Sequence, residues 1–276
     1  MERGLAHNTI NAYRRDLDEY MTFVGAGPAD ETTVAAFVEH LRSRDLAPAS
    51  VNRKLAAVRG LHRYLLAEGL ADDDPTILVD RPRLAMSLPK ALAIDEAIFL
   101  VESPDVTTLP GRRDAALLEF LYGTGCRVSE AVGLDLAQLD LEERTALVTG
   151  KGSKQRLVPL GRAAVESLHR WLPDRLDLAK PDHDAVFVNL RGGRLSRQGA
   201  FLVVKAAASR AGIAPERISP HVLRHSAATH MIEGGADLRS VQELLGHANV
   251  TTTQVYTRVS PQHLLEVFVQ AHPRSR

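Results

Sequence analysis

The sequence predicts a mostly α-helical protein of two domains, with a small antiparallel β-hairpin or sheet in the second. Apolar residues recur at helical spacing along most of the 276 residues. A segment rich in aspartate and proline, residues 72–92, interrupts this pattern and indicates a linker. The stretch TALVTGKGSKQRLVPLG has two short apolar runs around a Gly-Lys turn, which is typical of a β-hairpin. We therefore expect domains at residues 1–71 and 93–276.

Three helices are predicted in the first domain. Asn8-Thr9 can cap a helix that runs to Tyr20, and Thr32-Thr33 can cap a second that runs to Leu41. A third helix starts at Pro48 and ends near Gly69, and its polar face is basic. The domain should therefore bury one apolar stripe from each helix.

The second domain is predicted to be mainly helical as well. Besides the hairpin, the apolar run from Ala185 to Asn189 predicts a further strand. The helical segments are DEAIFLVES, RRDAALLEFLYGTG, RVSEAVGL, SRQGAFLVVKAAASRAG, HVLRHSAATHMIEGG, DLRSVQELLG, a Thr-capped segment that holds Tyr256, and PQHLLEVFVQAH.

The charge is unevenly distributed, although the formal net charge is zero. Residues 151–224 contain 14 basic and 6 acidic side chains, a local net charge of +8. Because salt confines each charge's influence to roughly 8–10 Å, such a local excess can bind phosphates in a neutral protein. The aromatic content of 5% argues against a stacking platform for single-stranded nucleic acid.

The sequence favours a cytoplasmic protein. A single cysteine, Cys126, cannot form an internal disulfide, which fits a reducing compartment. No apolar run approaches the length of a membrane span, and the N-terminus lacks the apolar core of a signal peptide. We therefore expect no membrane partner.

Four separate motifs carry polar residues that the local helix or strand pattern does not require. They are TGCRVSEAVGL, GKGSKQRLVPLG, SPHVLRHSAATHM and LLGHANVTTTQVY. Each motif alone is a weak signal, since a lone Arg or His is usually a solvated or packed side chain. Their candidate catalytic residues are Arg127, Lys151, His221, Arg224, His247 and Tyr256.

Together and in this order, the motifs resemble those of the tyrosine recombinases, and within them the Xer-type recombinases. The resemblance extends over nearly the whole chain and includes GADLRSVQELLGHANVTTTQVYT and the terminal HPR. The HVLRH and LRSV motifs are nearer to the XerD branch than to the XerC branch. The resemblance implies a SAM-like, core-binding N-terminal domain that binds DNA, followed by a catalytic domain.

The implied activity is site-specific DNA recombination through a covalent 3′-phosphotyrosine intermediate. A tyrosine phenol suits this chemistry because its phosphate ester leaves readily in the return step. Guanidinium and imidazole donors stabilise the charge on the attacked phosphate, and an ammonium can protonate the departing oxygen. The resemblance assigns Tyr256 as nucleophile, Lys151 as general acid and the other four residues to the phosphate. Glu130 matches an acidic position that orients the site.

Five further basic residues are predicted to bind DNA: Arg53, Lys54, Lys154, Arg194 and Arg197. The implied partners are double-stranded DNA, a second Xer-type recombinase in a tetrameric synapse and a septal DNA translocase, at a dif-like site that resolves chromosome dimers. No cofactor and no metal are expected. The C-terminal segment from Pro261 is expected to dock into a neighbouring protomer.

Three alternatives remain open from the sequence. One is a phage or transposon integrase of the same family, although those often carry an extra arm-binding domain. Another is a DNA-binding relative that has lost catalysis, although all six catalytic positions are filled. The third is a zinc hydrolase, because His221 and His225 are four residues apart; the glutamate that a zincin motif needs after the first histidine is replaced by Val222.

Overall fold

The computed structural model describes residues 7–25, 29–44, 46–77, 79, 91–181, 183–246 and 261–275. The chain divides into two compact units, Met1–Ser87 and Leu88–Arg276. Helices dominate both units, and the second contains a three-stranded antiparallel sheet, so the predicted fold class is confirmed. The exact limits of the predicted linker stay a prediction, because residues 80–90 lie outside the described part of the chain.

The N-terminal unit is built from α1 (His7–Val24), α2 (Glu31–Ser43) and α3 (Pro48–Ala67). The side chain of Asp30 caps α2 by accepting a hydrogen bond from the backbone N–H of Thr33 at 2.8 Å. The predicted Thr32-Thr33 cap is therefore wrong, since the carboxylate that precedes it takes this place. The helices share one apolar core, formed mainly by Tyr20, Val34, Phe37, Leu41, Val51, Leu55 and Val58.

The second unit is assembled around one buried helix, α5. Every residue of α5 from 115 to 124 is buried, and α7 and α9 pack against it. Apolar residues occur on all sides of its C-terminal half, so other helices must enclose it, which explains its central place. In the described part of this unit, the helices are α4 (Ile94–Glu102), α5 (Leu109–Thr124), α6 (Val128–Val132), α7 (Arg162–Leu178), α8 (Arg197–Arg210), α9 (Pro220–Glu233), α10 (Leu238–Leu245) and α11 (Pro261–Ala271).

The sheet contains the predicted hairpin and one additional short strand. Strands β2 (Thr145–Thr149) and β3 (Gln155–Pro159) pair antiparallel around the GKGSK turn. Strand β1 (Leu139–Asp140) adds to β2 and is too short to give a sequence pattern. The strand predicted at Ala185–Asn189 is wrong, because this run forms only isolated bridges. Its apolar residues are buried in the core, so the pattern reflects burial and not strand pairing.

Helix α7 was not predicted from the sequence. Its buried residues Val165, Leu168 and Trp171 follow helical spacing, but Pro173 lies inside the helix and interrupts the pattern. The Trp171 indole N–H donates a hydrogen bond to the backbone oxygen of Val186 at 2.9 Å. This helix therefore anchors the irregular segment that had been expected to form a strand.

The C-terminal segment packs against its own unit. Phe268 and Ala271 of α11 are buried in a cluster with residues of α9 and α10. Beyond α11, Arg274 forms ion pairs with Glu119 and Glu102, which fasten the terminal HPR motif to α5 and α4. Leu265 and Val269 of the same helix are exposed, so docking of this segment into a neighbouring protomer stays a prediction.

None of the helices in the described ranges combines the length and apolar character that a membrane crossing requires.

Candidate active site

Arg127 lies at a sharp turn between α5 and α6. Gly125 ends α5 in the left-handed region with φ 58°, and a Cβ there would lie 2.6 Å from Cδ2 of Leu245. Glycine is therefore required both by the backbone conformation and by close packing. After this turn, Arg127 immediately precedes α6, and its side chain is 38% exposed. The turn thus holds a charged side chain partly in solvent at the end of a buried helix.

Arg224 lies on α9 and reaches the same turn from the interior. One Nη atom donates to the backbone oxygen of Gly125 at 2.7 Å, and the other donates to that of Leu245 at 2.8 Å. Burial, followed by repulsion from the nearby Arg127, lowers the pKa of Arg224 to about 10. The guanidinium therefore stays charged at neutral pH, with a less favourable environment than it would have in water.

Glu130 is the carboxylate that holds this cluster together. Its oxygens accept hydrogen bonds from Arg127 Nη1 and from the Arg127 backbone N–H, both at 2.9 Å. Burial alone would raise its pKa, but the hydrogen bonds from Arg156 and Arg127 outweigh burial and hold the pKa at about 2. The carboxylate is therefore ionised throughout the physiological range.

Arg156 is a site residue that the sequence analysis missed. It lies on β3 and binds Glu130 with both Nη atoms, at 3.0 and 2.8 Å. A sequence signal was available, because the strand alternation places Arg156 on the same face as the buried Val158. A charged residue on the buried face of a strand indicates a paired side chain.

The last turn of α10 meets all three guanidiniums. Arg156 Nε donates to the backbone oxygen of Leu244 at 2.9 Å, Arg224 to that of Leu245, and Arg127 Nη2 to that of Gly246 at 3.4 Å. The carbonyls at a helix C-terminus lack partners within the helix and carry a partial negative charge, so cations stabilise them. The residue that follows this helix end in the chain is His247.

His221 lies in the first turn of α9 and is exposed. It lines an open pocket of about 550 Å³ together with Arg197, Phe201 and Val128. The N-terminal ends of α8 and α9 both border this pocket, through their capping serines Ser196 and Ser219. Helix N-termini favour anions, so the pocket suits a phosphate group.

Three of the six predicted catalytic side chains fall outside what the structure describes. The backbone of Lys151 lies in the turn between β2 and β3, but its side chain is not described. His247 and Tyr256 lie within residues 247–260, which are outside the described ranges. The structure brings Arg127 and Arg224 together, and their roles in catalysis stay a prediction along with those of the other four residues.

The five predicted DNA-binding residues differ in how far their charges are already paired. Lys154 and Arg197 are exposed. Arg194 forms an ion pair with Asp135 at 2.5 Å and is 36% exposed. In the N-terminal unit, Arg53 and Lys54 both pair with the buried Asp16, and Lys54 also pairs with Glu19. Contact with DNA stays a prediction for all five; Lys54, 12% exposed, has a structural role as well.

Neither the cysteine nor the histidine pair shows features of another kind of site. Cys126 is buried, and burial raises its pKa to about 12, so its thiol is unreactive at neutral pH. His221 and His225 are both exposed on α9. Among the residues that the structure describes, no group of three or more His, Cys, Asp or Glu side chains is placed to hold a metal ion.

Sequence comparison identifies the family. Residues 96–263 match the phage integrase family, and residues 1–69 match the N-terminal SAM-like domain of phage integrases. Tyrosine recombinase XerD of Mycobacterium tuberculosis is 49% identical over 299 aligned residues, which cover 100% of this chain and 95% of the relative. Tyrosine recombinase XerD of Halalkalibacterium halodurans is 42% identical, with 100% and 95% covered.

Comparison of folds agrees with the sequence comparison. The XerH site-specific recombinase, in a pre-cleavage complex with its difH substrate, matches with a TM-score of 0.70 at 28% identity. The match covers 94% of this chain and 78% of XerH. The chain therefore belongs to the phage integrase family, and it is a XerD-like site-specific tyrosine recombinase.

Proposed function

We propose that the six residues Arg127, Lys151, His221, Arg224, His247 and Tyr256 form the active centre that cuts and rejoins DNA strands. The observation that carries this proposal is the convergence of Arg127 and Arg224 on the carbonyls of Gly246 and Leu245. Arg127, just before α6, and Arg224, on α9, thus meet at the end of α10, which His247 follows in the chain. A phosphate bound by these guanidiniums would lie beside the segment that carries both the imidazole and the tyrosine.

The reaction that these groups support is an exchange of one phosphodiester for another. The phenol of Tyr256 releases its proton to solvent as its oxygen forms a bond to phosphorus, and the bond from phosphorus to the 5′-oxygen breaks. Lys151 donates a proton to the departing 5′-oxygen. Arg127, Arg224, His221 and His247 stabilise the negative charge that gathers on the phosphate. A 5′-hydroxyl of another strand then attacks the phosphotyrosine, so the bond is restored without an external energy source and without a metal or other cofactor.

The proposed substrate is double-stranded DNA. Exposed Lys154 and Arg197 and the partly exposed Arg194 belong to the basic segment 151–224, which supports binding along the phosphate backbone. The XerH relative is bound to a difH substrate. By that likeness, this chain acts at a dif-like site and resolves chromosome dimers during cell division.

The proposed assembly is a tetrameric synapse that contains a second Xer-type recombinase. Strand exchange between two duplexes requires a cut at each of four strands, two at a time, which four protomers supply. We also propose control by a septal DNA translocase and action in the cytoplasm, both from the likeness to XerD proteins. The likeness to XerD favours this role over that of a phage or transposon integrase.

The test uses DNA that traps the covalent intermediate. The probe is a duplex enriched from random sequence by binding to the wild-type protein, with a nick placed in turn at each position of its central region. Loss of a short fragment beside the nick removes the 5′-hydroxyl that would reverse the reaction. The wild-type protein should form an adduct that survives denaturing electrophoresis.

The matched variants are Tyr256→Phe and Tyr64→Phe. Tyr64 is exposed in the N-terminal unit and serves as the control for loss of a phenol. Tyr256→Phe should bind the duplex but form no adduct, whereas Tyr64→Phe should react like the wild type. Bound DNA without an adduct in the wild type would instead identify a catalytically silent relative.

A further inference from the structure

Arg156 contacts Glu130 and the end of α10, and its side chain is largely buried. Its side chain is 16% exposed, compared with 38% for Arg127. Both Nη atoms are directed at Glu130, and Nε is directed at the backbone oxygen of Leu244. A bidentate guanidinium–carboxylate pair has a fixed geometry that a lysine cannot reproduce. The charge of Arg156 is therefore paired with Glu130 inside the protein and does not face solvent.

The contacts of Arg156 join three segments that carry the proposed catalytic residues. Its own strand follows the turn that contains Lys151. Its partner Glu130 also holds Arg127. Its other hydrogen-bond partner, the backbone oxygen of Leu244, lies in the last turn of α10, three residues before His247. Gly246 is packed so closely that a Cβ there would lie 3.1 Å from Nη1 of Arg156.

The sharing of Glu130 determines how Arg127 is presented. Glu130 accepts one side-chain hydrogen bond from Arg127, at Oε1, which it shares with Arg156. Its Oε2 accepts from the second Nη atom of Arg156 and from the backbone N–H of Arg127. Within the described ranges, the second Nη atom of Arg127 makes a long contact of 3.4 Å to the backbone oxygen of Gly246. Without Arg156, both Nη atoms of Arg127 could bind the carboxylate, and the guanidinium would be drawn away from an incoming phosphate.

We propose that Arg156 is a positioning residue of the recombination reaction. It balances the charge of Glu130 so that Arg127 keeps donors for the phosphate, and it fixes the end of α10 that leads into His247. This inference rests on the proposed function, since it assumes that Arg127 and His247 act on the phosphate. Arg156 does not touch the reacting atoms and acts only through these neighbours.

The experiment separates positioning from binding and from folding. Single-turnover rates of covalent attachment are measured at saturating DNA, with the nicked duplex that the wild-type protein selects, and apparent Kd values are measured on the same duplex. Arg156→Gln should attach about 100-fold more slowly, as is typical when a group that orients active-site residues is lost. Its Kd should stay within about threefold of the wild-type value, because the phosphate-binding surface is intact.

Two further variants show which contact matters. Arg156→Lys keeps the charge but not the bidentate geometry. Its attachment rate should be about tenfold higher than that of Arg156→Gln. In the Glu130→Gln background, Arg156→Gln should cause little additional loss, since both substitutions break the same connection. Arg162→Gln removes an exposed arginine of α7 and serves as the control, with the wild-type rate expected.

The outcomes distinguish this inference from the proposed function. An absent adduct in the wild type contradicts the proposed function itself. If the wild type forms a normal adduct, two results for Arg156→Gln overturn the inference. One is attachment at the wild-type rate, and the other is a fold-decrease in rate no larger than the fold-increase in Kd. Loss of folding in both Arg156→Gln and Arg156→Lys, judged by circular dichroism, also overturns it, because Arg156 would then serve stability alone.

Discussion

At the scale of single residues, the site depends on one buried carboxylate among three guanidiniums. Glu130 pairs with Arg127 and Arg156, and it also attracts the buried Arg224. Breaking a buried ion pair by removing one partner is costly, because the other charges stay buried and uncompensated. The cluster should therefore be sensitive both to substitution of Glu130 and to its protonation.

The pKa of Glu130 makes its stabilisation dependent on pH. The folded-state pKa of about 2 lies below the usual value of 4.5, so the contribution is present above pH 4.5 and is lost as the pH falls towards 2. By linkage it amounts to about 3 kcal/mol at pH 7 and about 1 kcal/mol at pH 3. The difference in free energy of unfolding between wild type and Glu130→Gln should therefore shrink by about 2 kcal/mol between these pH values.

Denaturant unfolding at the two pH values measures this difference. Glu166→Gln is the control, because Glu166 is exposed in a surface pair with Arg162 and should show no comparable change. An equal difference for Glu130→Gln at pH 7 and pH 3 would show that the charge of Glu130 does not stabilise the fold.

The proposed general acid, Lys151, is testable by changing the leaving group. Lys151→Ala should cleave a normal phosphodiester on the order of 100- to 1,000-fold more slowly, because the departing 5′-oxygen needs a proton. With a 5′-phosphorothiolate bridge the sulfur leaves without a proton, and the rate should return to within about tenfold of the wild-type rate.

Lys154→Ala provides the matched control, since Lys154 is an exposed lysine of the same hairpin. Because its proposed role is to bind DNA, Lys154→Ala should retain a nearly normal rate on both substrates once the DNA is saturating. Equal impairment of Lys151→Ala on both substrates would assign Lys151 to phosphate binding instead of proton transfer.

At the scale of secondary-structure elements, the site is set by where helices end. α5 ends at Gly125, whose oxygen holds Arg224, and α10 ends at Gly246, whose oxygen faces Arg127. Both glycines have left-handed backbone conformations, with φ values of 58° and 68°. The TGCR and LGH motifs thus correspond to two helix ends packed together, with a guanidinium bound to each.

Gly125→Ala should damage this junction. The new methyl group would lie 2.6 Å from Leu245 Cδ2 in a strained backbone conformation, which should cost about 2–4 kcal/mol of stability. Gly212 has a similar positive φ, 71°, but no atom lies within 4 Å of a new Cβ there. Gly212→Ala should therefore lose only the stability that backbone strain costs. Free energies of unfolding and attachment rates test both variants. Equal losses for the two alanines would contradict a packed junction at Gly125.

At the scale of the whole molecule, the sequence predicts the fold class and the site motifs better than it predicts packing. The three N-terminal helices and the hairpin follow directly from apolar spacing and turn residues. Helix α7 was missed because Pro173 breaks its pattern, and a false strand was predicted at Ala185–Asn189 because burial alone explains its apolar run.

At the candidate site, too, the sequence predicts the local motifs better than the contacts between distant segments. The motifs identify Arg127 and Arg224. Strand alternation indicates that Arg156 is paired, but its partner Glu130, 26 residues earlier in the chain, is known only from the tertiary contact. The burial of Phe268 and Ala271 of α11 likewise depends on tertiary contacts, since an apolar helix face does not specify its partner. A local pattern can indicate that a side chain is paired or buried, but it does not identify a partner that is distant in the sequence.

The most direct test of the account is to identify the residue that becomes joined to DNA. The full-length protein is trapped on the nicked duplex, digested with protease and nuclease, and analysed by tandem mass spectrometry. We expect a nucleotide 3′-phosphate on the phenol oxygen of Tyr256. A nucleotide on any other side chain, or attachment through the 5′ end of the DNA, would contradict it.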